Sequence, residues 1–172
     1  MNDWWLMRHG KAEEARVAGL DGDRARRLTA EDEQRLRETL PGLRGLQVRP
    51  HRILSSPYPR AYPTACLVAR ALLNSPEPEV CHPLDADQAV EPLWGACLPQ
   101  GLSEGRNLML VGHEPILSQL ASTILVGEKD LLPIQVKKGG LVHLRVGVHS
   151  GQPKGFLLVL WSAVEIRRLC RE

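Results

Sequence analysis

Two apolar runs in this chain end on a histidine, and a third leads towards an arginine. Trp4-Trp5-Leu6-Met7 hands over to Arg8-His9-Gly10, Leu108-Met109-Leu110-Val111 to Gly112-His113, and Ile53-Leu54-Ser55 exits through Ser56-Pro57 towards Arg60. In an open α/β sheet, ligands bind in the crevice outside the carboxyl ends of the strands. If these runs are neighbouring strands, two imidazoles and two guanidiniums meet there. That set suits a phosphoryl group. Arg8 and Arg60 offer planar forks to its equatorial oxygens, and a helix starting near Arg60 adds its N-terminal donors. A neutral imidazole presents a lone pair without the repulsion a carboxylate would meet. His9 is therefore the candidate nucleophile, forming a covalent phosphohistidine that water hydrolyses. His113, if protonated, is the candidate stabiliser of transition-state charge.

Metal binding is the competing use of two histidines. The strand ends show no obvious carboxylate ligand, and two arginines beside them would oppose a divalent cation, so the expectation is no metal. His51, His82, His143 and His149 read as surface or structural residues.

The elements that must position these groups follow from periodicity. Lys11 to Arg27 is mostly polar and contains Gly19 and Gly22, which predicts a surface loop able to fold over the site. Thr29 with Asp32 forms a capping signal, and Leu36, Leu40 and Leu43 recur at helical spacing until Pro41-Gly42 interrupts them. Arg60 to Leu73 places Ala61, Ala65, Val68, Ala69 and Leu72 on one helical face, with Pro63 tolerable only in the first turn. Val80-Cys81 is a candidate short strand. Asp85 with Gln88 signals a further helix that Pro92 should kink or stop. Pro115 is placed to open a helix whose buried face carries Ile116, Leu117, Leu120, Ala121, Ile124 and Leu125. Val142, Leu144 and Val146 alternate with His143 and Arg145, the period of a half-buried strand, and Phe156 to Trp161 is a continuous apolar strand before a terminal helix with Ile166 and Leu169. Strands alternating with helices predict an α/β sandwich with a largely parallel sheet.

Composition bounds the rest. The 172 residues fit one domain, 1–172. A net charge of +2 gives no reason to expect nucleic acid or an anionic membrane, although 17 of the 22 cations are arginine, the better fork for phosphate. Cys66, Cys81, Cys97 and Cys170 lack metal-type spacing and are expected as free, packed thiols. No secretory signal and no long apolar span is evident, so the expected location is cytoplasmic.

The ordered set Arg8-His9-Gly10-Lys11-Ala12, Arg26-Arg27-Leu28-Thr29, Ser56-Pro57 with Arg60-Ala61 and Thr64-Ala65, and Val111-Gly112-His113-Glu114-Pro115 resembles the histidine phosphatase superfamily, and within it the small SixA-type phosphohistidine phosphatases. Lys138-Gly139 and Trp161 also sit where that family has similar features. The resemblance implies a phosphoglycerate mutase-like three-layer sandwich, with a central mostly parallel sheet flanked by helices, in the compact form without a large cap domain. It implies His9 as the phosphorylated nucleophile, Arg8 and Arg60 on the phosphoryl oxygens, His113 completing the pocket, and no cofactor. The chain departs from the family at Pro63, where glutamine is frequent, and at the proton donor of larger relatives. The matching stretch, Cys81 to Asp87, shows no glutamate, leaving Asp85, Asp87 and Glu114 as weak candidates, each equally able to serve a helix start.

A weak acid matters less for a phosphoramidate, whose imidazole leaves more readily than an alkoxide. The leading expectation is a phosphohistidine phosphatase acting on a carrier or signalling protein. The alternatives are a phosphomonoesterase for small metabolites and a non-catalytic phosphate-binding module.

Overall fold

The computed structural model describes residues 1–14, 22–96, 105–150 and 152–170. Its six strands are β1 (Asn2–Arg8), β2 (Arg52–Ser55), β3 (Pro78–Val80), β4 (Leu108–Gly112), β5 (Leu141–His149) and β6 (Gln152–Trp161). They form one sheet in the order β3-β2-β4-β1-β5-β6. The first four are parallel, whereas β5 and β6 join antiparallel on the β1 side. The helices are α1 (Gly22–Ala25), α2 (Ala30–Thr39), α3 (Gly42–Gly45), α4 (Ala61–Ala71), α5 (Glu91–Ala96), α6 (Ile116–Val126) and α7 (Ala163–Arg168).

The apolar runs are continuous because the central strands are buried on both faces. Trp4 and Leu6 of β1 join Leu108 and Leu110 of β4 and Ile116, Leu117, Leu120, Ala121 and Ile124 of α6 on one side of the sheet. Trp5 and Met7 join Met109 and Val111 against Leu36 of α2 and Leu40 just beyond it, Ala65 and Val68 of α4 and Ile166 of α7 on the other. Three layers result, with helices on both faces of the sheet.

Local chemistry sets the helix ends. Thr29 caps α2 by accepting from the Asp32 N–H at 3.1 Å. Pro63 is the third residue of α4, where a backbone N–H would have no intrahelical partner anyway. Ser162 and Glu165 form a reciprocal capping box on α7.

Register delivers the site. Arg8 pairs with Gly112, so His9 and His113 each follow directly on paired strand ends. Ser55 pairs with Val111, which brings Ser56 to the same edge.

Four expectations need correction. Pro92 is the second residue of α5 and starts that helix instead of stopping it, since Pro is compatible with a first turn. Asp85 does not cap α5; it ends a 3-10 turn, His82–Leu84, and its carboxylate points elsewhere. Cys81 is disulfide-bonded, not a free thiol, because pairing depends on approach in space rather than on spacing along the chain. Cys66 and Cys170 are free, and Cys97 lies outside the described residues. The expected loop over Lys11 to Arg27 contains α1 and a bridge between Ala12 and Leu28, while residues 15–21 fall outside the described set.

β6 is an edge strand, and its continuous apolar run leaves Phe156, Leu157, Leu158 and Leu160 exposed. Among the described residues no helix is long and apolar enough to cross a membrane.

Candidate active site

His9 is 5 % exposed, and its backbone N–H donates to the Gly112 carbonyl at 3.1 Å, fastening the end of β1 to the end of β4. Its Nδ1 lies 2.5 Å from the Gly10 carbonyl. A carbonyl only accepts, so Nδ1 carries the proton and Nε2 keeps its lone pair. Burial, then the positive charges of Arg60, Arg8 and Lys138, push His9 down to about 3 against the raising effect of the Gly10 carbonyl. The imidazole is neutral near pH 7, the form a nucleophile needs.

Gly10 explains its own place in the motif. A Cβ there would come within 2.7 Å of Leu28 Cδ1 and 2.8 Å of Leu36 Cδ1, and would also strike Asp32 Oδ2. The Gly10 N–H donates to Thr64 Oγ1 at 3.3 Å, and the Thr64 hydroxyl donates to the Arg60 carbonyl at 2.7 Å. One threonine thus ties the first turn of α4 to the loop after β1. From the other side Gly139, at φ +69°, donates its N–H to both the Arg8 and His9 carbonyls at 3.1 Å.

Arg8 donates from Nη1 to the Val136 carbonyl at 3.0 Å, while its buried Nε has no partner. Burial lowers its affinity for a proton, Glu114 raises it and Arg60 lowers it. Arg60 is 3 % exposed at the N-cap of α4, with its guanidinium 5.1 Å from the centre of the Tyr58 ring. Its Nη1 donates to the Asp23 carbonyl and its Nη2 to the Asp23 carboxylate at 2.6 Å. Asp23 also accepts from Arg26 Nη1 at 2.7 Å.

The His113 ring sits 4.8 Å from the His9 ring and 5.0 Å from that of Tyr58. Burial first, then His9 and Arg60, push His113 down to about 3, with Asp23 opposing and Arg8 adding to the depression. Its Nε2 lies 3.0 Å from Ser56 Oγ, while the buried Nδ1 has no partner. Two buried nitrogens without a protein partner, Arg8 Nε and His113 Nδ1, lie close enough for the Arg8 charge to act on His113. Lys138 adds positive charge nearby, its own pKa lowered by burial and by Arg8, Arg26 and Lys11.

All four sequence-selected residues, Arg8, His9, Arg60 and His113, meet at this sheet edge. The three weak acid candidates separate. Asp87 accepts from Arg24 at 2.5 Å and from Tyr58 Oη at 3.0 Å, contacts that hold its pKa below the usual carboxylate range, the wrong direction for an acid. Glu114 spends Oε1 on the Val136 N–H at 2.6 Å and Oε2 on the Ser118 N–H at 3.1 Å. Asp85 accepts from the Ser56 hydroxyl at 2.9 Å. Spacing assigns no role to Asp23 or Tyr58, and the motif that contains Ser56 and Thr64 leaves their hydroxyls without one. Thr64 stands in the motif four residues after Arg60 and Tyr58 two before it, whereas Asp23 carries no spacing signal.

Among the described residues no group of three or more His, Cys, Asp or Glu is placed to hold a metal. A cleft of about 480 Å³ lies at the opposite end of β2, lined by Arg44, Val48, His51 and Leu72, and contains neither catalytic-type histidine.

Comparison with known proteins gives the family. The family model described as "Histidine phosphatase superfamily (branch 1)" matches residues 4–81. An uncharacterized protein of Picosynechococcus sp. is 32% identical over 143 residues, covering 83% of this chain and 84% of that protein. The structure of the protein histidine phosphatase SixA complexed with tungstate superposes with a TM-score of 0.78 at 25% identity, covering 94% of this chain and 97% of that one. A phosphoserine phosphatase from Entamoeba histolytica, solved with 3-phosphoglyceric acid, shares the fold at a TM-score of 0.62 and 18% identity, covering 94% and 98%. The chain belongs to the histidine phosphatase superfamily and is a phosphatase of its SixA-type form.

Proposed function

We propose that the protein removes the phosphoryl group from phosphohistidine on a carrier or signalling protein, by way of phospho-His9. The single observation that carries this reading is the fixed tautomer of His9, with Nδ1 committed to the Gly10 carbonyl and Nε2 free in a cleft flanked by two arginines. Nε2 attacks phosphorus, the P–N bond to the substrate imidazole breaks, and that nitrogen takes up a proton from solvent as it leaves. Water then attacks phospho-His9, releasing phosphate and restoring the neutral imidazole. Arg8 and Arg60 carry the equatorial oxygens, and His113, protonated once the anion is bound, shares their charge. The likeness to SixA, which binds tungstate, a tetrahedral oxyanion, supports an oxyanion at this position. A phosphoramidate substrate fits a site where Asp87 and Glu114 are already engaged.

A small phosphomonoester is the second reading. It is favoured by the fold shared with the Entamoeba phosphoserine phosphatase. The deciding experiment offers a phosphohistidine protein and a panel of alkyl phosphates to wild type and to His9→Ala. The first reading expects preferential loss of acid-labile phosphate, with transient label on His9 in the wild type alone. Equal turnover by His9→Ala refutes it, preference for alkyl esters transfers the case to the second reading, and binding without label on His9 marks a phosphate-binding module.

A further inference from the structure

Ser56 Oγ stands at a three-way junction. Asp85 Oδ1 is 2.9 Å away, His113 Nε2 is 3.0 Å away, and the Tyr58 backbone N–H points at the same oxygen from 3.3 Å. The proton count decides the direction of each bond. A carboxylate only accepts and a backbone N–H only donates, while a hydroxyl has one proton and two lone pairs. Ser56 therefore donates its hydroxyl hydrogen bond to Asp85, and its lone pairs accept hydrogen bonds from the Tyr58 N–H and from an N–H on His113 Nε2. The neutral His113 ring must then carry its lone pair on Nδ1, the nitrogen that is buried without a protein partner.

The geometry points to Asp85 as a positioning residue that acts through Ser56 on His113, keeping the ring proton on Nε2 and leaving Nδ1 to the phosphoryl oxygens. This rests on the reading of the cleft as a phosphoryl-transfer site. A neutral Nδ1 repels an anionic oxygen, so His113 contributes only after Nδ1 gains a proton. The resulting imidazolium is then stabilised from behind by the Asp85 carboxylate, relayed by one hydroxyl. Without Asp85 the Ser56 proton is free to turn towards Nε2, which selects the opposite tautomer and puts an N–H on Nδ1 with no carboxylate behind it.

The placement of Asp85 is built into the fold. Leu84 beside it is completely buried, the Cys81 N–H donates to the Ser55 carbonyl at 2.7 Å, and the Asp85 side chain is 15% exposed. His82, the other polar side chain on this turn, approaches Asp85 only to 3.8 Å and is itself 77% exposed. Asp85 touches neither His9 nor Arg60 in any described bond, so its effect passes through Ser56.

The test separates this role from that of a general acid. Asp85→Asn and Ser56→Ala are compared with wild type by nitrogen-15 spectra of the histidine rings, with His113 assigned by its loss in His113→Gln. Wild type is expected to show His113 protonated on Nε2, with that tautomer lost or mixed in both variants. On a series of aryl and alkyl phosphates and a phosphohistidine peptide, Asp85→Asn should lose about 10-fold or more in kcat, with KM changed less than about 2-fold and the same loss for every leaving group. A loss confined to poor leaving groups makes Asp85 the proton donor and overturns the proposal. An unchanged tautomer in both variants overturns it as well. Ring spectra require no substrate, so failure of the phosphohistidine assignment would appear as absent turnover in wild type while the tautomer result still decides the relay. If Asp85→Asn does not fold, Ser56→Ala carries the same comparison.

Discussion

Asp23 occupies both terminal nitrogens of Arg60, its carbonyl oxygen accepting from Nη1 and its carboxylate from Nη2 at 2.6 Å. A phosphoryl group arriving at Arg60 meets a carboxylate already in place. The Asp23 side chain is 53% exposed, so solvent screens its repulsion of an incoming anion to the order of 1 kcal/mol. Asp23→Asn is expected to bind orthovanadate several-fold more tightly than wild type, as measured by calorimetry. Unchanged or weaker binding would show that Asp23 aids the anion by orienting Arg60.

Replacing Arg60 with lysine keeps the charge but removes the fork. Because this guanidinium is buried against Tyr58 and bonded at two nitrogens, the single ammonium cannot reproduce its contacts. Arg60→Lys should lower kcat/KM by roughly 100-fold, a loss of about 2.7 kcal/mol of transition-state stabilisation. Near-normal kinetics would remove Arg60 from the reaction.

The two histidines make stability depend on pH. Both are held near 3 in the folded protein against 6.5 for the unconstrained group. Between those values the unfolded chain binds protons that the folded chain refuses, so folding stability rises with pH through this window and is fully present above about 6.5. Each histidine contributes at most about 1.4 kcal/mol per pH unit. Thermal melts from pH 4 to 7 should steepen accordingly, and the double variant His9→Gln/His113→Gln should flatten the slope. An identical slope in that variant would assign the acid sensitivity to other groups.

Gly10→Ala tests close packing, not conformational freedom. The added Cβ would press on Leu28, Leu36 and Asp32, all belonging to segments that frame the site. Overpacking of this kind costs about 1–3 kcal/mol. The variant should show a lower Tm together with reduced labelling of His9, and normal values for both would mean that these segments yield easily.

The edge strand β6 exposes Phe156 and Leu158, at 61% and 41%. Unpaired backbone beside apolar side chains favours association of copies. Phe156→Lys is expected to change stability by less than about 0.5 kcal/mol while raising the concentration at which the protein stays dispersed, as followed by light scattering. A large loss of stability would show that Phe156 packs more firmly than its exposure indicates.

By itself the sequence determined the strands that lead directly into His9, His113 and Ser56, the helix that opens at Arg60, and the alternation of the α/β sandwich. These are local properties: a continuous apolar run, and a proline confined to a first turn. Tertiary structure decided what depends on distance. Pairing of Arg8 with Gly112 and of Ser55 with Val111 set the two imidazoles and the serine side by side. No spacing rule could predict that Asp23 would close on Arg60, that Cys81 would be oxidised, or that β5 and β6 would join antiparallel and leave an apolar edge open. The same holds for the acids. Asp85, Asp87 and Glu114 were indistinguishable as letters, and only their partners in space, a hydroxyl, an arginine with a tyrosine, and two backbone N–H groups, gave them different chemistry.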